Sequence, residues 1–206
     1  MANWNTKLTP PAVSQSPALF LDRDGVVVSD RDYLADPAQV QLLPGVAQAM
    51  VRAKQAGYVL VGVSNQSGLG RGYFSQNDFE AVMQRIVADL AAEGAAFDGF
   101  FYCPHAPSDN CQCRKPLTGM LTEAAAFFAW DPARSWVIGD KSSDVGLGQA
   151  ADLGSILVRT GYGAQQEAKV MSGLTAAQRV LVADDLAAAV DLILAIDDGN
   201  SGAGNS

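Results

Sequence analysis

A single doubly wound α/β domain built on a parallel sheet is the fold the sequence predicts, on three observations. Short unbroken apolar runs alternate with helical periodicity from Ala18 onward, the pattern of strands whose two faces are both covered by helices. Capping signals punctuate the runs: Ser75 precedes Asp78 by three residues, and Pro44 and Gly57 bracket a helical stretch. The chain has 206 residues, 49% of them hydrophobic, which is enough for one packed core. Two full domains of about 100–200 residues each would not fit.

The elements follow in order. Residues 1–17, with Pro10, Pro11 and Pro17, read as a flexible N-terminal arm. Ala18–Leu21 is a buried strand, Pro44–Ala56 a helix and Tyr58–Val63 a continuous apolar strand. After the Ser75 cap, Phe79, Val82, Met83, Ile86, Val87 and Leu90 recur at helical spacing. Phe97–Tyr102 reads as a strand, Thr118–Trp130 as a helix, Ser135–Gly139 as a strand and Val145–Ala151 as a helix. Strands at Ser155–Val158 and Val180–Val182 precede a last helix over Asp184–Ile196. Residues 18–196 thus form the domain, and the Gly/Asn/Ser-rich stretch 197–206 reads as a disordered tail.

Charge narrows the partners. Fourteen basic against 22 acidic residues give a net charge of −8, which argues against nucleic acid as the main ligand. No apolar run reaches the ~18 residues of a membrane span, and the first residues lack a secretory pattern. A cytoplasmic protein, monomeric and without a membrane partner, is the expectation.

In a doubly wound sheet, ligands sit beyond the carboxyl ends of the strands. There the sequence places Asp22-Arg23-Asp24-Gly25, then Ser64-Asn65-Gln66-Ser67-Gly68, then Arg114-Lys115-Pro116, then Gly139-Asp140-Lys141-Ser142-Ser143-Asp144. Clustered carboxylates repel and raise one another's pKa unless a cation intervenes, and an oxygen-rich anionic set suits Mg²⁺. The Ser64 hydroxyl, the Lys115 ammonium and Gly-rich backbone amides supply donors for phosphoryl oxygens. Such a set can transfer a phosphoryl group, with Asp22 attacking phosphorus and Asp24 moving the proton.

Cys103, His105, Cys111 and Cys113 form C-x-H-x5-C-x-C and include every cysteine and the only histidine of the chain. Three thiolates and an imidazole make a closed tetrahedral set of the kind that holds structural Zn²⁺. A disulfide would leave one thiol over and is disfavoured in a reducing compartment. Cys113 runs directly into Arg114 and Lys115, so metal ligation there would pin the loop carrying both cations. The Arg114 fork suits a phosphate or sugar hydroxyls.

Asp-x-Asp-Gly, a strand-end Ser, a distal Lys-Pro and Gly-Asp-x-x-x-Asp, in this order from about Leu19 to Leu194, resemble the haloacid dehalogenase phosphatase superfamily. The resemblance implies a Rossmann-like domain without a large cap. It also implies Asp22 as nucleophile, Asp24 as acid/base, and Ser64 and Lys115 as phosphoryl stabilisers. Mg²⁺ would be held by Asp22, Asp140 and the Asp24 backbone carbonyl. The zinc loop running into Cys-Arg-Lys-Pro is similar to that of the heptose-bisphosphate phosphatase branch, with the histidinol-phosphatase branch as near relative. Asn65-Gln66-Ser67-Gly68, Gly139-Asp140-Lys141 and Val158-Arg159-Thr160-Gly161 favour the heptose branch. That implies a sugar-phosphate substrate contacted by Asp30, Tyr33, Asn65, Gln66, Ser67, Arg114, Lys115 and Lys141. Phosphate-accepting receiver domains combine acidic residues, Ser/Thr and Lys similarly, but Asp24 would defeat a long-lived phosphorylated signal, and a zinc loop has no place there.

Overall fold

The computed structural model describes residues 2–3, 15–175 and 178–203, with side chains described over 15–175 and 178–199. The elements are β1 (Ala2–Asn3), β2 (Ala18–Leu21), α1 (Val46–Gln55), β3 (Val59–Asn65), α2 (Ser67–Gly70), α3 (Gln76–Ala92), β4 (Gly99–Cys103), α4 (Gly119–Ala124), β5 (Trp136–Gly139), α5 (Ser142–Ala150), β6 (Gly154–Val158), α6 (Gly163–Ser172), β7 (Val180–Ala183) and α7 (Leu186–Ala203). The sheet order is β1-β4-β3-β2-β5-β6-β7. All pairings from β2 to β7 are parallel, and only the two-residue β1 runs antiparallel, against Phe101 and Tyr102. Without β1 this is the doubly wound order, whose winding reverses direction between β2 and β5. The carboxyl ends of those two adjacent strands therefore mark the ligand crevice.

Alternation along the strands builds two cores. Leu19, Leu21, Leu60, Phe100, Tyr102, Ile138 and Ile156 face one side, with α1, α3 and α7 packed over them. Ala18, Phe20, Val61, Val63, Phe101 and Val137 face the other, against Met120 and Leu121 of α4 and Leu147 of α5. Near-continuous apolar strands follow from this two-sided burial. The start of α3 is as its sequence requires: Ser75 Oγ accepts from Asp78 N at 3.2 Å, and Asp78 Oδ2 accepts from Ser75 N at 2.8 Å.

Four stretches differ from expectation. The helix at Thr118–Trp130 spans only Gly119–Ala124, because the segment must then turn so that Trp130 can meet Ser16 and stack edge-on to Phe20 at 5.0 Å. The tail expected from residue 197 is helical to Ala203, since Asp197 accepts from Tyr58 Oη and Arg134 Nη2, each at 2.8 Å. Of the N-terminal arm, Ala2–Asn3 lie in the sheet, while 4–14 fall outside the described residues. The helix α6 was not anticipated: its first residues, Gly163-Ala164-Gln165-Gln166, carry no capping side chain.

Phe20 is fully buried two residues before the strand end that carries Asp22. Phe20→Ala should cost about 3–5 kcal/mol, as large-to-small aromatic truncations do in dense cores. Urea unfolding measures it, and a loss under about 1 kcal/mol would contradict this packing.

Candidate active site

The ladder between β2 and β5 ends with Asp22 N donating to Ile138 O at 3.0 Å, which sets Asp22 directly beside the end of β5. Next along the chain, Gly25 takes φ +82°, and its N–H donates to Val28 O at 2.8 Å. On the other side of the crevice, Gly161 has φ +58°. A Cβ at either glycine would collide with Asp140 Oδ2, so two backbone segments form a cradle around that carboxylate. Tyr162 N donates to the same oxygen at 2.9 Å. Thr160 Oγ1 closes the cradle by donating to Gly25 O at 2.6 Å.

Asp22, Asp140 and Asp144 bring carboxylate oxygens within 4.8 Å of one another, and all three side chains are buried. Their neighbours decide what each carries. Lys115 Nζ lies 3.0 Å from Asp22 Oδ1 and 2.6 Å from Asp144 Oδ1, and donates to Val63 O at 2.8 Å. Burial opposes its charge, but the Asp144 and Asp22 charges outweigh that and raise its pKa. Burial likewise pushes Asp22 up, and Lys115 and Lys141 more than reverse it, so Asp22 stays an anion. Asp140 goes the other way: burial, then the Asp22 charge, push it up to about 7. Among the described residues no donor hydrogen-bonds to Asp140 Oδ1, although Lys141 Nζ stands 3.3 Å away. A buried carboxylate oxygen without a donor, beside a second anionic carboxylate, is a hard-cation site, and these residues fit a divalent ion such as Mg²⁺.

Asp24 sits outside that carboxylate group. Its Oδ2 accepts from Gln66 Nε2 at 2.9 Å and Arg23 Nη2 at 2.8 Å, and its Oδ1 accepts from Arg23 Nε at 3.0 Å. Ser64 is buried at the end of β3, its Oγ accepting from Gln66 Nε2 at 2.9 Å. Asn65 closes two bonds on the backbone of Lys115, Oδ1 accepting from its N–H at 3.0 Å and Nδ2 donating to its carbonyl at 3.2 Å. Asn65 thus anchors the lysine's backbone. Lys141 Nζ pairs with Asp30 Oδ2 at 3.1 Å and lies 4.8 Å from the Tyr162 ring centre. Asp22, Asp24, Asp30, Tyr33, Ser64, Asn65, Gln66, Ser67, Arg114, Lys115 and Lys141 all line one cavity of about 370 Å³. Every substrate-contact residue expected from the sequence is therefore in one place. Arg114 Nη1 is shielded from solvent and donates to no group among the described residues.

Three participants escaped the sequence reading. Arg23 lies between the two key aspartates and is 1% exposed; a charged residue inside Asp-x-Asp was its only signal. Asp144 receives Lys115 and also accepts from Lys141 N at 3.0 Å, so its role is larger than that of a helix cap. Asp32, next to the expected contact Tyr33, takes φ +39° at the rim, where its Oδ1 accepts from Tyr162 Oη at 3.0 Å, and the Tyr33 ring meets Tyr73 edge-on at 4.7 Å.

The Cys/His loop leaves the end of β4. Cys103 Sγ is 3.5 Å from Cys111 Sγ and 3.7 Å from His105 Nδ1, and Cys113 Sγ is 3.2 Å from His105 Nδ1 and 3.5 Å from Cys111 Sγ. Bonds of about 2.3 Å to sulfur and 2.0 Å to nitrogen set tetrahedron edges of roughly 3.5–3.8 Å. Three of these four separations fall in that range, and the Cys113–His105 pair is shorter at 3.2 Å. At 3.5 Å the sulfurs are far beyond the ~2.05 Å of a disulfide, and all three cysteines are free. The cluster is compatible with zinc.

Comparison with known proteins decides the family. The D-glycero-beta-D-manno-heptose-1,7-bisphosphate 7-phosphatase of Vibrio cholerae serotype O1 is 42% identical over 153 residues, 70% of this chain and 82% of that relative. The chain belongs to this phosphatase family. The Escherichia coli K12 protein of the same name is 39% identical over 161 residues, 74% of this chain and 84% of its own. A HAD-hydrolase-like family model matches residues 112–189. The crystal structure of the D,D-heptose 1.7-bisphosphate phosphatase from B. bronchiseptica, complexed with magnesium and phosphate, superposes with a TM-score of 0.79 at 38% identity. It covers 87% of this chain and 99% of its own. The chain is accordingly a phosphoric monoester hydrolase of the haloacid dehalogenase superfamily. No described helix is long and apolar enough to cross a membrane.

Gly161→Ala should lower stability by more than about 1 kcal/mol, because an L side chain at φ +58° is strained and its Cβ displaces Asp140. Thermal melting checks this, and an unchanged melting temperature would mean the cradle is not as tight as described.

Proposed function

We propose that this hydrolase removes the 7-phosphate of D-glycero-D-manno-heptose 1,7-bisphosphate through an aspartyl-phosphate intermediate, in the making of nucleotide-activated heptose for surface glycans. The observation that carries the reading is Arg114, whose shielded Nη1 donates to no described residue and whose side chain lines the cavity of Asp22 and Lys115. Arg114 is half-buried, and a shielded guanidinium nitrogen without a partner is costly unless a ligand supplies one; a substrate with two phosphates does so. The names of the relatives in Vibrio cholerae and Escherichia coli point to the same sugar.

The chemistry follows from the neighbours of each group. Asp22, an anion held by Lys115, attacks phosphorus. Lys115 and the Ser64 hydroxyl take up charge that grows on the phosphoryl oxygens. Asp24 gives its proton to the leaving sugar oxygen and then accepts one from the attacking water. Mg²⁺ would be held by Asp22, Asp140 and the Asp24 backbone carbonyl, with Asp144 anchoring Lys115 beside them. When bound, it screens the repulsion between carboxylate and phosphate. Zn²⁺ on Cys103, His105, Cys111 and Cys113 is structural and fixes the loop that delivers Arg114 and Lys115. The small sugar phosphate is the partner, the protein acts as a cytoplasmic monomer, and Asp30, Tyr33, Ser67 and Lys141 meet the sugar at the rim.

A phosphate-release panel with heptose bisphosphate, histidinol phosphate, fructose 1,6-bisphosphate and p-nitrophenyl phosphate tests the substrate. The heptose bisphosphate should give the highest kcat/KM; histidinol phosphate in first place would overturn the assignment. Arg114→Ala should cost roughly ten- to a hundredfold with the heptose bisphosphate and far less with p-nitrophenyl phosphate, since a charge-assisted contact is worth about 1.5–3 kcal/mol. Lys115→Ala should cost heavily with both, and equal losses for Arg114→Ala would show that it does not read the substrate. Elemental analysis of protein never exposed to chelator should find one zinc per chain, and Cys111→Ser should lower zinc content and melting temperature together. Protein without zinc at full stability would refute that role.

A further inference from the structure

Arg23 and Gln66 are placed as no substrate-binding pair needs to be. Arg23 is 1% exposed and Gln66 4% exposed, so neither offers its polar end freely to solvent. Arg23 Nη2 donates to both oxygens of Asp24 at 2.8 Å and to Gln66 Oε1 at 3.0 Å, and its Nε adds a bond to Asp24 Oδ1 at 3.0 Å. The guanidinium cannot swing away, because Phe79 lies 5.7 Å from it and Met83 Sδ is 3.9 Å from Nη1. Gln66 is equally constrained. Its Oε1 accepts from Arg23, and its Nε2 donates to Asp24 Oδ2 and to Ser64 Oγ, each at 2.9 Å. Flipping the amide would put an acceptor against a carboxylate and a donor against a guanidinium, so only one orientation satisfies all four groups.

We infer that Arg23 and Gln66 are positioning residues that aim the acid/base Asp24 and the phosphoryl donor Ser64 as one unit. This rests on the phosphomonoesterase reading above, and not on the identity of the sugar. As the bond from Asp22 Oδ to phosphorus forms, the bond from phosphorus to the leaving oxygen breaks. The Asp24 proton passes to that oxygen, which departs as the neutral alcohol. Asp24 is left as a carboxylate, the form that the Arg23 fork and the Gln66 amide are built to hold, and water then returns the proton to it as the phosphoryl group leaves Asp22. At Ser64, the bond from Gln66 occupies a lone pair of Oγ, so the hydroxyl hydrogen points elsewhere and remains available to a phosphoryl oxygen. One amide thus orients both partners, and the guanidinium fixes the amide. Arg23→Lys would keep the charge and lose the fork.

Leaving-group dependence separates this role from a merely structural one. A sugar alkoxide needs a proton to depart, whereas p-nitrophenolate leaves without one. The measured quantity is the ratio of kcat/KM for the sugar phosphate that the wild-type protein turns over fastest to kcat/KM for p-nitrophenyl phosphate, with Mg²⁺ present. It is taken for the full chain, for Arg23→Lys, for Gln66→Met and for Asp24→Asn. General acid catalysis contributes about 10²–10⁴-fold, so Asp24→Asn should lower the ratio most. Arg23→Lys and Gln66→Met should each lower it about tenfold, a misaimed acid retaining part of its effect. Zinc content and melting temperature show that each variant is folded, and if Arg23→Lys does not fold, Gln66→Met decides alone. A ratio within twofold of wild type in Gln66→Met and in any folded Arg23→Lys, with Asp24→Asn shifted, would overturn the inference and leave the phosphatase reading intact. An unshifted ratio in Asp24→Asn would overturn the acid role itself, and the inference with it.

Discussion

A buried ammonium among carboxylates is the constraint from which the rest of the site follows. Lys115 Nζ has three N–H donors and three acceptors in reach: Asp22, Asp144 and the carbonyl of Val63. Those acceptors come from the ends of β2, α5 and β3, so one charge ties together the segments that flank the crevice. Burying any of these groups singly would be prohibitive. Buried together, they hold Asp22 anionic, while burial and the Asp22 charge push Asp140 up even with Lys141 Nζ 3.3 Å away.

The position of Lys115 depends in turn on the Cys/His loop. Cys113 is two residues upstream, and Asn65 holds the Lys115 backbone from β3 by both its N–H and its carbonyl. The loop is fastened again where Gly70 N donates to Pro104 O at 2.8 Å and Gly119 N to Gln112 O at 3.1 Å. A metal at the four ligand atoms would therefore act on Lys115 and Arg114 through a connection of one or two residues. The aromatic and acidic rim is a separate layer. There Asp30, Asp32, Lys141 and Tyr162 contact one another across three segments, and Tyr33 meets Tyr73 beside them.

Sheet and site were legible in the sequence for different reasons. The strands are apolar throughout because both faces are buried, so Ala18–Leu21 and Ser135–Gly139 stood out and were placed to within one residue. The strand-end rule then delivered Asp22, Ser64, Lys115 and Asp140, which the structure does bring together in one crevice. Helix ends without side-chain caps were not legible: α6 begins after Tyr162 with no capping side chain, and α4 stops at Ala124 because of the Trp130 contact far along the chain. Asp197 looked like the start of a polar tail, but its carboxylate docks on Tyr58 and Arg134, which are remote in sequence. Arg23 is hard to read because its place inside Asp-x-Asp is the only local signal of a buried arginine; its partners Asp24, Gln66 and Phe79 show what it is for.

The central claim is that Asp22, held as an anion by Lys115, carries the phosphoryl group during turnover. Acid quenching of the wild-type protein in mid-turnover with its best sugar phosphate and Mg²⁺, followed by peptide mass spectrometry, tests it directly. The account predicts one phosphoryl group on the peptide containing Asp22, absent from Asp22→Asn and chased away when unlabelled turnover is allowed to finish. Phosphorylation at another residue, or an Asp22→Asn protein that still turns over within tenfold of wild type, would contradict it.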